Sequence, residues 1–593
     1  MDNIVRNLRK GLDPNAVAFR HLNGDVIHYG DFDLWIDQIS NALKRSEIHG
    51  GHRVAVVMPR SPLGLALFLG VAFENICCPM SPRLKRDEIA RIFETTQATS
   101  LLVSRDDRDA VEIASERGLS VICISQDASG RLQFESTIRS KQDPPSQKDD
   151  RYALLLQTSG TTSRPKVVLL KHSQILSTVH GIKAAFELGP RDTCLNPMPF
   201  QHAHGLVSAG LSSLVSGSTA VCLPSFSAAI FDAAFRKHRP TWFTGAPAMH
   251  VALLEYYGAR GEKPIDPALR FFRSSSAPLP SSIIGSLESL FGAPLIETYG
   301  LTETATMIAT NPLPPAVRKI GSVGIPCSGA EISIIMPDGQ RAPAGVEGEI
   351  LVRGPSVITH YGEHPAPDPD NFLNDWLRTG DVGYLDSDDY LFIVGRTKEL
   401  IKRGGLSVYP VEIDNILMSL PGVAEAASFS IPHDTLGEDL VSAVVVNRGA
   451  TFNEADLRMA LFSRLSSYKV PSAIVAMEQI PKSDTGKIVR KEISRWFSSQ
   501  LVPAKIAPDN DLERTLLENW AVVLGRTDIG VTDNLFLFGA DPIRAERMPE
   551  TALPPALRSQ RGFWYRYPTV RRQAEMISRH LELQDVPDGI LRD

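Results

Sequence analysis

The 593-residue chain has six cysteines, none in a C-x-x-C pair and none accompanied by histidines at metal-ligand spacing. Disulfide frameworks and zinc sites are therefore set aside in favour of free, buried thiols in a reducing compartment. Basic runs are also missing: 62 Lys and Arg against 68 Asp and Glu leave a formal charge of -6, so nucleic acid is not an expected partner. The longest apolar run, "LGLALFLGVAF" at 63–73, stops at Glu74. That is well short of the roughly 20 residues a membrane helix needs, so it is expected as a core helix and no membrane span is expected. The N-terminus lacks the apolar core of a secretory signal, and the C-terminal "ILRD" is not the S-K-L peroxisomal address. Cytoplasm is the expected location. No internal repeat, low-complexity tract or G-x-x-x-x-G-K-[ST] loop is present.

What is present is more than one hydrophobic core can organise. Between residues 30 and 130, helical patterns alternate with β-rich runs such as "HRVAVVMP", "TSLLVS" and "LSVICIS", which argues for an α/β layer with parallel strands. From 320 to 395 the texture becomes Gly/Pro-punctuated strands, with Asp338-Gly339 as a turn. The expected fold is α/β: a large multi-sheet N-terminal domain (1–396) with a β-rich closing segment, then a smaller α+β domain (397–499). A linker (500–510) and a helical tail (511–593) follow.

Chemistry enters at "YALLLQTSGTTSRPKVV", residues 152–168. An apolar strand runs into Thr158, Ser159, Gly160, Thr161 and Thr162 and ends on Lys166. Free backbone N–H groups, hydroxyls and a lysine together suit a polyphosphate. The string resembles the T-S-G-T-T-G-x-P-K-G motif of the adenylate-forming superfamily: acyl-CoA synthetases, luciferases and the adenylation domains of peptide synthetases. Ser163 and Val167 stand where glycines are usual. Further motifs follow in the family's order: "ETYGLTET" (297–304), "WLRTGDVGYLD" (376–386), "GRTKELIKRGG" (395–405) and "PKSDTGKIVRK" (481–491).

The resemblance implies roles. Thr302 and Glu303 approach phosphate and Mg²⁺, with Thr158 beside Glu303 as oxygen ligands for a hard cation. Tyr299 lies against adenine, and the acceptor-only carboxylate of Asp381 takes both ribose hydroxyls. The fork of Arg396 reaches ribose or phosphate. Lys398 marks the hinge, Lys487 is the catalytic lysine of adenylation, and Gly404 and Gly405 line the thiol tunnel. The implied reaction activates a carboxylic acid with ATP to an acyl-adenylate and pyrophosphate, after which a thiol takes the acyl group.

"MPFQHAHGL" (198–206) and "RFFRSSSAPLP" (270–280) most resemble oxalate-CoA ligases and related small-acid ligases. His202, His204, Ser274, Ser275, Ser276 and Gly300 are the expected acid-binding residues, and a small or polar acid is the expected substrate. Thr306 stands where those ligases carry a histidine, which argues against copying oxalate across, and a larger hydroxylated, aromatic or polycarboxylic acid fits equally well. Three readings stay open: delivery to CoA, loading of a separate carrier protein, or a non-catalytic adenylate-binding scaffold. The tail resembles a phosphopantetheine carrier, D-x-F-F-x-L-G-G-D-S-L, but "DNLFLFGADPIRA" has Ala540 for the second glycine and Pro542 for the serine. No phosphopantetheine arm is expected there, and the tail is open to being loosely folded or a relic.

Overall fold

The computed structural model describes residues 3–104, 106–127, 130–138, 151–158, 166–362, 368–433, 436–482, 487–500, 504–540, 542–545, 547–558 and 563–584. The chain divides into two compact units, residues 1–393 and 394–593.

In the first unit the alternating runs become two sheets with parallel centres. One orders strands 132–138, 120–126, 100–104, 53–57, 76–80, β1 (Tyr152–Thr158) and β2 (Lys166–Lys171). The apolar run at 63–73 is the helix Pro62–Ala72, opened by proline and buried at every position but Leu63. A helix apolar all round belongs between layers, and this one joins the main core.

The second sheet has nine strands. At its centre β3 (Trp242–Gly245), β4 (Phe271–Ser274) and β5 (Leu295–Tyr299) run parallel and side by side. Both faces are covered, so every residue of these strands except Tyr299 is buried. Phe231, Phe235, Phe243, Phe272 and Phe291 fill one face. On the other, Phe186 stacks on Phe271 and Phe271 on Trp242 under the helix His172–Ala185 and a π-helix, His204–Leu211. The closing segment is antiparallel: Glu331–Ile335, Gly348–Arg353, β6 (Trp376–Leu385) and Phe372–Leu373. The Asp338-Gly339 turn forms as expected, with Gly339 at φ +83°.

The second unit holds a five-stranded sheet, Leu406–Val408, Ile401–Arg403, Gly437–Val446 and Val423–His433, with Ala473–Ala476 parallel to Gly437–Val446. The tail is neither loose nor separate. Trp520, Leu535, Phe536 and Val570 are fully buried in a closed core, and Trp520 Nε1 donates to Gln573 Oε1 at 2.8 Å. It is also seated on the sheet's flank. Asn534 Nδ2 donates to the Ser472 carbonyl at 3.0 Å, Arg458 lies over the Phe536 ring, and Leu537 packs on the cluster of Ile480, Ile493 and Phe497. The six cysteines are free, but Cys222 and Cys327 are half-buried rather than fully buried. Among the described residues no helix is long and apolar enough to cross a membrane.

Candidate active site

Strand pairing shapes the end of the candidate site where phosphate is expected. β1 and β2 are antiparallel with Thr158 opposite Lys166, so the two ends of the hydroxyl-rich loop are brought together. Ser159, Gly160, Thr161 and Thr162 lie outside the described residues. Lys166 Nζ sits 4.4 Å from the centroid of the Tyr361 ring and donates to Asn371 Oδ1. Tyr361 in turn donates its hydroxyl to Glu303 Oε1 at 2.8 Å. Burial and the neighbouring Glu303 push the Tyr361 phenol up, so it stays a donor. The strand end, Tyr361 and the short turn Thr302–Thr304 thus form one continuous line.

The described residues contain no cluster of three or more His, Cys, Asp or Glu able to hold a metal. One carboxylate, Glu303, with the hydroxyl of Thr158 is an all-oxygen set too small to encage an ion. It fits Mg²⁺, which keeps several waters and is bound through one or two carboxylates plus phosphate oxygens.

The residues expected at the nucleoside join two motifs far apart in sequence. Tyr299, at the end of β5, donates to Asp381 Oδ2 in β6 at 2.5 Å, and Asp381 is only 3% exposed. Beside them Glu297 accepts from the Gly321 amide at 3.1 Å, and burial pushes its carboxyl up to about 7. Gly300 has a packing reason of its own. A Cβ there would stand 1.1 Å from the Thr306 carbonyl oxygen, so only glycine lets the chain fold back over the turn.

Residues expected to face the acid meet across the π-helix. His204 Nδ1 is 2.9 Å from Ser276 Oγ and its Nε2 is 2.7 Å from Thr244 Oγ1. Burial, then the charge of Arg273, hold the imidazole well below its ordinary pKa, so His204 is neutral. One turn on, Ser208 donates to Thr306 Oγ1 at 2.8 Å. Both hydroxyl partners, Ser276 at φ +79° and Thr306 at φ +112°, occupy the left-handed region without being glycine. Such strain persists only where surrounding contacts hold it, and it gathers at functional sites. π-Helices are also frequent there. Ser274 Oγ is buried without a hydrogen-bond partner, and the Ser275 amide donates to the Gly245 carbonyl. His202 is half-buried on the turn before the π-helix, its carbonyl accepting from the Leu206 amide.

In the second unit Arg396, Lys398 and Lys487 are exposed. Lys398 lies in the turn Thr397–Glu399, whose Glu399 is held by Arg490 at 3.2 Å; the same guanidinium grips Asp414 at 2.7 Å. Gly404 and Gly405, at φ +58° and +84°, are the two-residue loop between strands Ile401–Arg403 and Leu406–Val408. A hairpin loop of two left-handed residues demands glycine or a close substitute.

Thr244, Ser208 and Tyr361 contact the candidate residues, and Arg273 contacts Ser208, though the sequence did not single them out. A basic residue inside the apolar "RFFRSSS" was a usable signal for Arg273. Tyr361 gave none, being 58 residues from Glu303.

The model of the AMP-binding enzyme family matches residues 9–361, and that of the AMP-binding enzyme C-terminal domain matches 412–487. An oxalate–CoA ligase of Arabidopsis thaliana is 35% identical over 485 residues, 80% of this chain and 94% of that protein. A sulfoacetate–CoA ligase of Cupriavidus necator is 33% identical over 476 residues, 79% and 92% respectively. The crystal structure of ATP-bound MatB from Rhodopseudomonas palustris superposes with a TM-score of 0.76 at 26% identity, covering 84% of this chain and all of that one.

Proposed function

Because the chain belongs to the AMP-binding enzyme family of adenylate-forming enzymes, as an AMP-forming acid–thiol ligase of the acyl-CoA synthetase type, we propose that it activates a small polar carboxylic acid with ATP and transfers the acyl group to CoA. The observation that carries this reading is the convergence in one unit of a phosphate end, Thr158, Lys166, Tyr361 and Glu303, and a nucleoside end, Tyr299 bonded to Asp381.

A carboxylate is a poor electrophile and must first acquire a leaving group. Its oxygen attacks the α-phosphorus of ATP, the bond to the β-phosphate bridging oxygen breaks, and pyrophosphate departs. Two anions approach in that step. Lys166 and the Thr158 hydroxyl offset the repulsion at the phosphates, and Lys487 takes the role of the family's catalytic lysine. Bound Mg²⁺, held by Glu303 and Thr158, supplies further charge neutralisation. Asp381 accepts from the ribose hydroxyls and Arg396 donates to ribose or phosphate oxygens, so that the α-phosphorus is presented in one orientation. CoA sulfur then attacks the acyl carbon, the mixed-anhydride C–O bond breaks and AMP leaves; Gly404 and Gly405 line its approach.

Neutral His204, its ring fixed by Ser276 and Thr244, presents a polar, uncharged wall to the acid. Together with Ser274 and Ser275 it favours a small polar substrate over a long alkyl chain. The test is pyrophosphate release by the full chain with ATP, Mg²⁺ and a panel of small acids, with products identified by mass in the presence and absence of CoA. Acyl-CoA formation is the expected result. Adenylate that stays unreacted with CoA and transfers only to an added carrier protein would replace the CoA reading, and no pyrophosphate release with any acid would overturn acid activation itself.

A further inference from the structure

Arg273 is an inner-strand residue of β4 and is 1% exposed. A guanidinium keeps its proton in proteins and presents five donors, so burying it calls for acceptors. Arg273 has one such acceptor: Nη2 donates to Ser208 Oγ at 3.0 Å. Its Nε and Nη1 have no hydrogen-bond partner, and among the described residues no carboxylate pairs with it. Its other neighbours are the Phe186 ring, in cation–π contact at 5.7 Å, and the thiols of Cys194 and Cys327, none of them an anion. The buried Arg403, by contrast, sits on Asp439 at 2.7 Å. An uncompensated buried charge is among the costlier things a fold can hold.

The position of this charge is as informative as its isolation. Ser208, its one partner, also bonds Thr306, which follows the Thr302–Thr304 turn; one π-helical turn earlier on the same element stands His204. Arg273 therefore lies one hydrogen bond behind the acid-facing residues. The geometry points to Arg273 as the specificity-determining residue for a second anionic group on the acid, so that the substrate is a short dicarboxylate or a carboxylate–sulfonate rather than a monocarboxylate. This rests on the activity proposed above. It also supplies a positive partner that Thr306, standing where oxalate–CoA ligases carry a histidine, does not. Nη2 carries a second hydrogen besides the one given to Ser208, so one edge of the guanidinium, Nη2 with either Nε or Nη1, still offers two parallel N–H groups to two oxygens of one carboxylate or sulfonate. The neutral His204 leaves the selectivity to the guanidinium.

The experiment compares the full chain with Arg273→Met and Arg273→Lys. Pyrophosphate release is measured for oxalate, malonate and sulfoacetate against acetate, propionate and cinnamate, and malonate binding is measured by calorimetry without ATP. Wild type is expected to favour the dianionic acids, and Arg273→Met to lower the ratio of dianionic to monoanionic kcat/KM by about a hundredfold, mainly through KM. Arg273→Lys should keep part of that ratio, and it stands in if the Met variant does not fold. A wild-type preference for monocarboxylates, or equal loss for both acid classes in both variants, overturns the role. Should no acid release pyrophosphate, the catalytic reading fails by itself. Malonate binding that is present in wild type and lost in the variants then still upholds the charge pairing, and its absence from wild type ends it.

Discussion

Asp381 and Tyr299 are 82 residues apart and share one short bond, with the carboxylate almost wholly out of solvent. A carboxylate accepts at both oxygens, whereas an asparagine accepts at one and turns a donor toward any hydroxyl that needs an acceptor. Asp381→Asn should therefore raise the KM for ATP by about 10- to 100-fold, in line with the roughly 1.5–3 kcal/mol of hydrogen bonds to charged groups, and ATP binding by calorimetry checks it. Glu297 gives a pH signature. Its carboxyl is raised from an ordinary 4.5 to about 7 by burial. Between those values the folded chain holds a proton that the unfolded chain has released, so stability is full below about 4.5 and falls as pH rises through 7. The loss amounts to about 3 kcal/mol at most. Glu297→Gln should flatten that slope, and melting temperatures from pH 5 to 8 measure it. At this scale the sequence was most legible where a residue acts through its own chemistry, as with Asp381 and Glu303. It was least so where the partner is distant, since nothing in "VITHYG" announces that Tyr361 bonds Glu303.

Elements decide where these residues meet. β5 must end in a turn that folds back tightly enough for the Thr306 carbonyl to pass Gly300 with no room for a methyl. Gly300→Ala should displace the turn carrying Thr302 and Glu303 and abolish adenylate formation, with a lower melting temperature as the accompanying sign. A variant that keeps wild-type pyrophosphate release would show that the turn can shift without cost. The helix and strand runs were readable from periodicity because burial repeats with the period of each element. The π-helix was not. "HGLVSAGL" has the composition of an ordinary buried helix, and the wider turn that aligns His204 and Ser208 with Ser276 and Thr306 is set by tertiary contacts. The left-handed Ser276 and Thr306 escaped for the same reason, since neither residue type announces positive φ.

At the scale of the whole molecule, the α/β core, the β-rich closing segment and the small α+β domain followed from the alternation of patterns along the chain. The state of the tail did not follow, because one small helical module gives no sequence sign of whether it packs on its neighbour. Its contacts come from the stretch that resembles a carrier's attachment loop: Asn534 on the Ser472 carbonyl and Leu537 on Ile480, Ile493 and Phe497. Removing residues 501–593 should uncover that apolar flank, lowering the melting temperature of the small domain and increasing its tendency to aggregate. Light scattering and calorimetry of the shortened chain report both. Incubation of the full chain with a phosphopantetheinyl transferase and CoA should leave its intact mass unchanged, since Pro542 offers no hydroxyl.

The seating of Asn534, Phe536 and Leu537 on the small domain has a kinematic consequence. A carrier serves by travelling: it must leave one station to reach the next. Here the loop that would have been the free tip of such a shuttle is the part that is fastened. While those contacts hold, the tail is a passenger of the small domain, displaced when it is displaced and stationary when it is stationary.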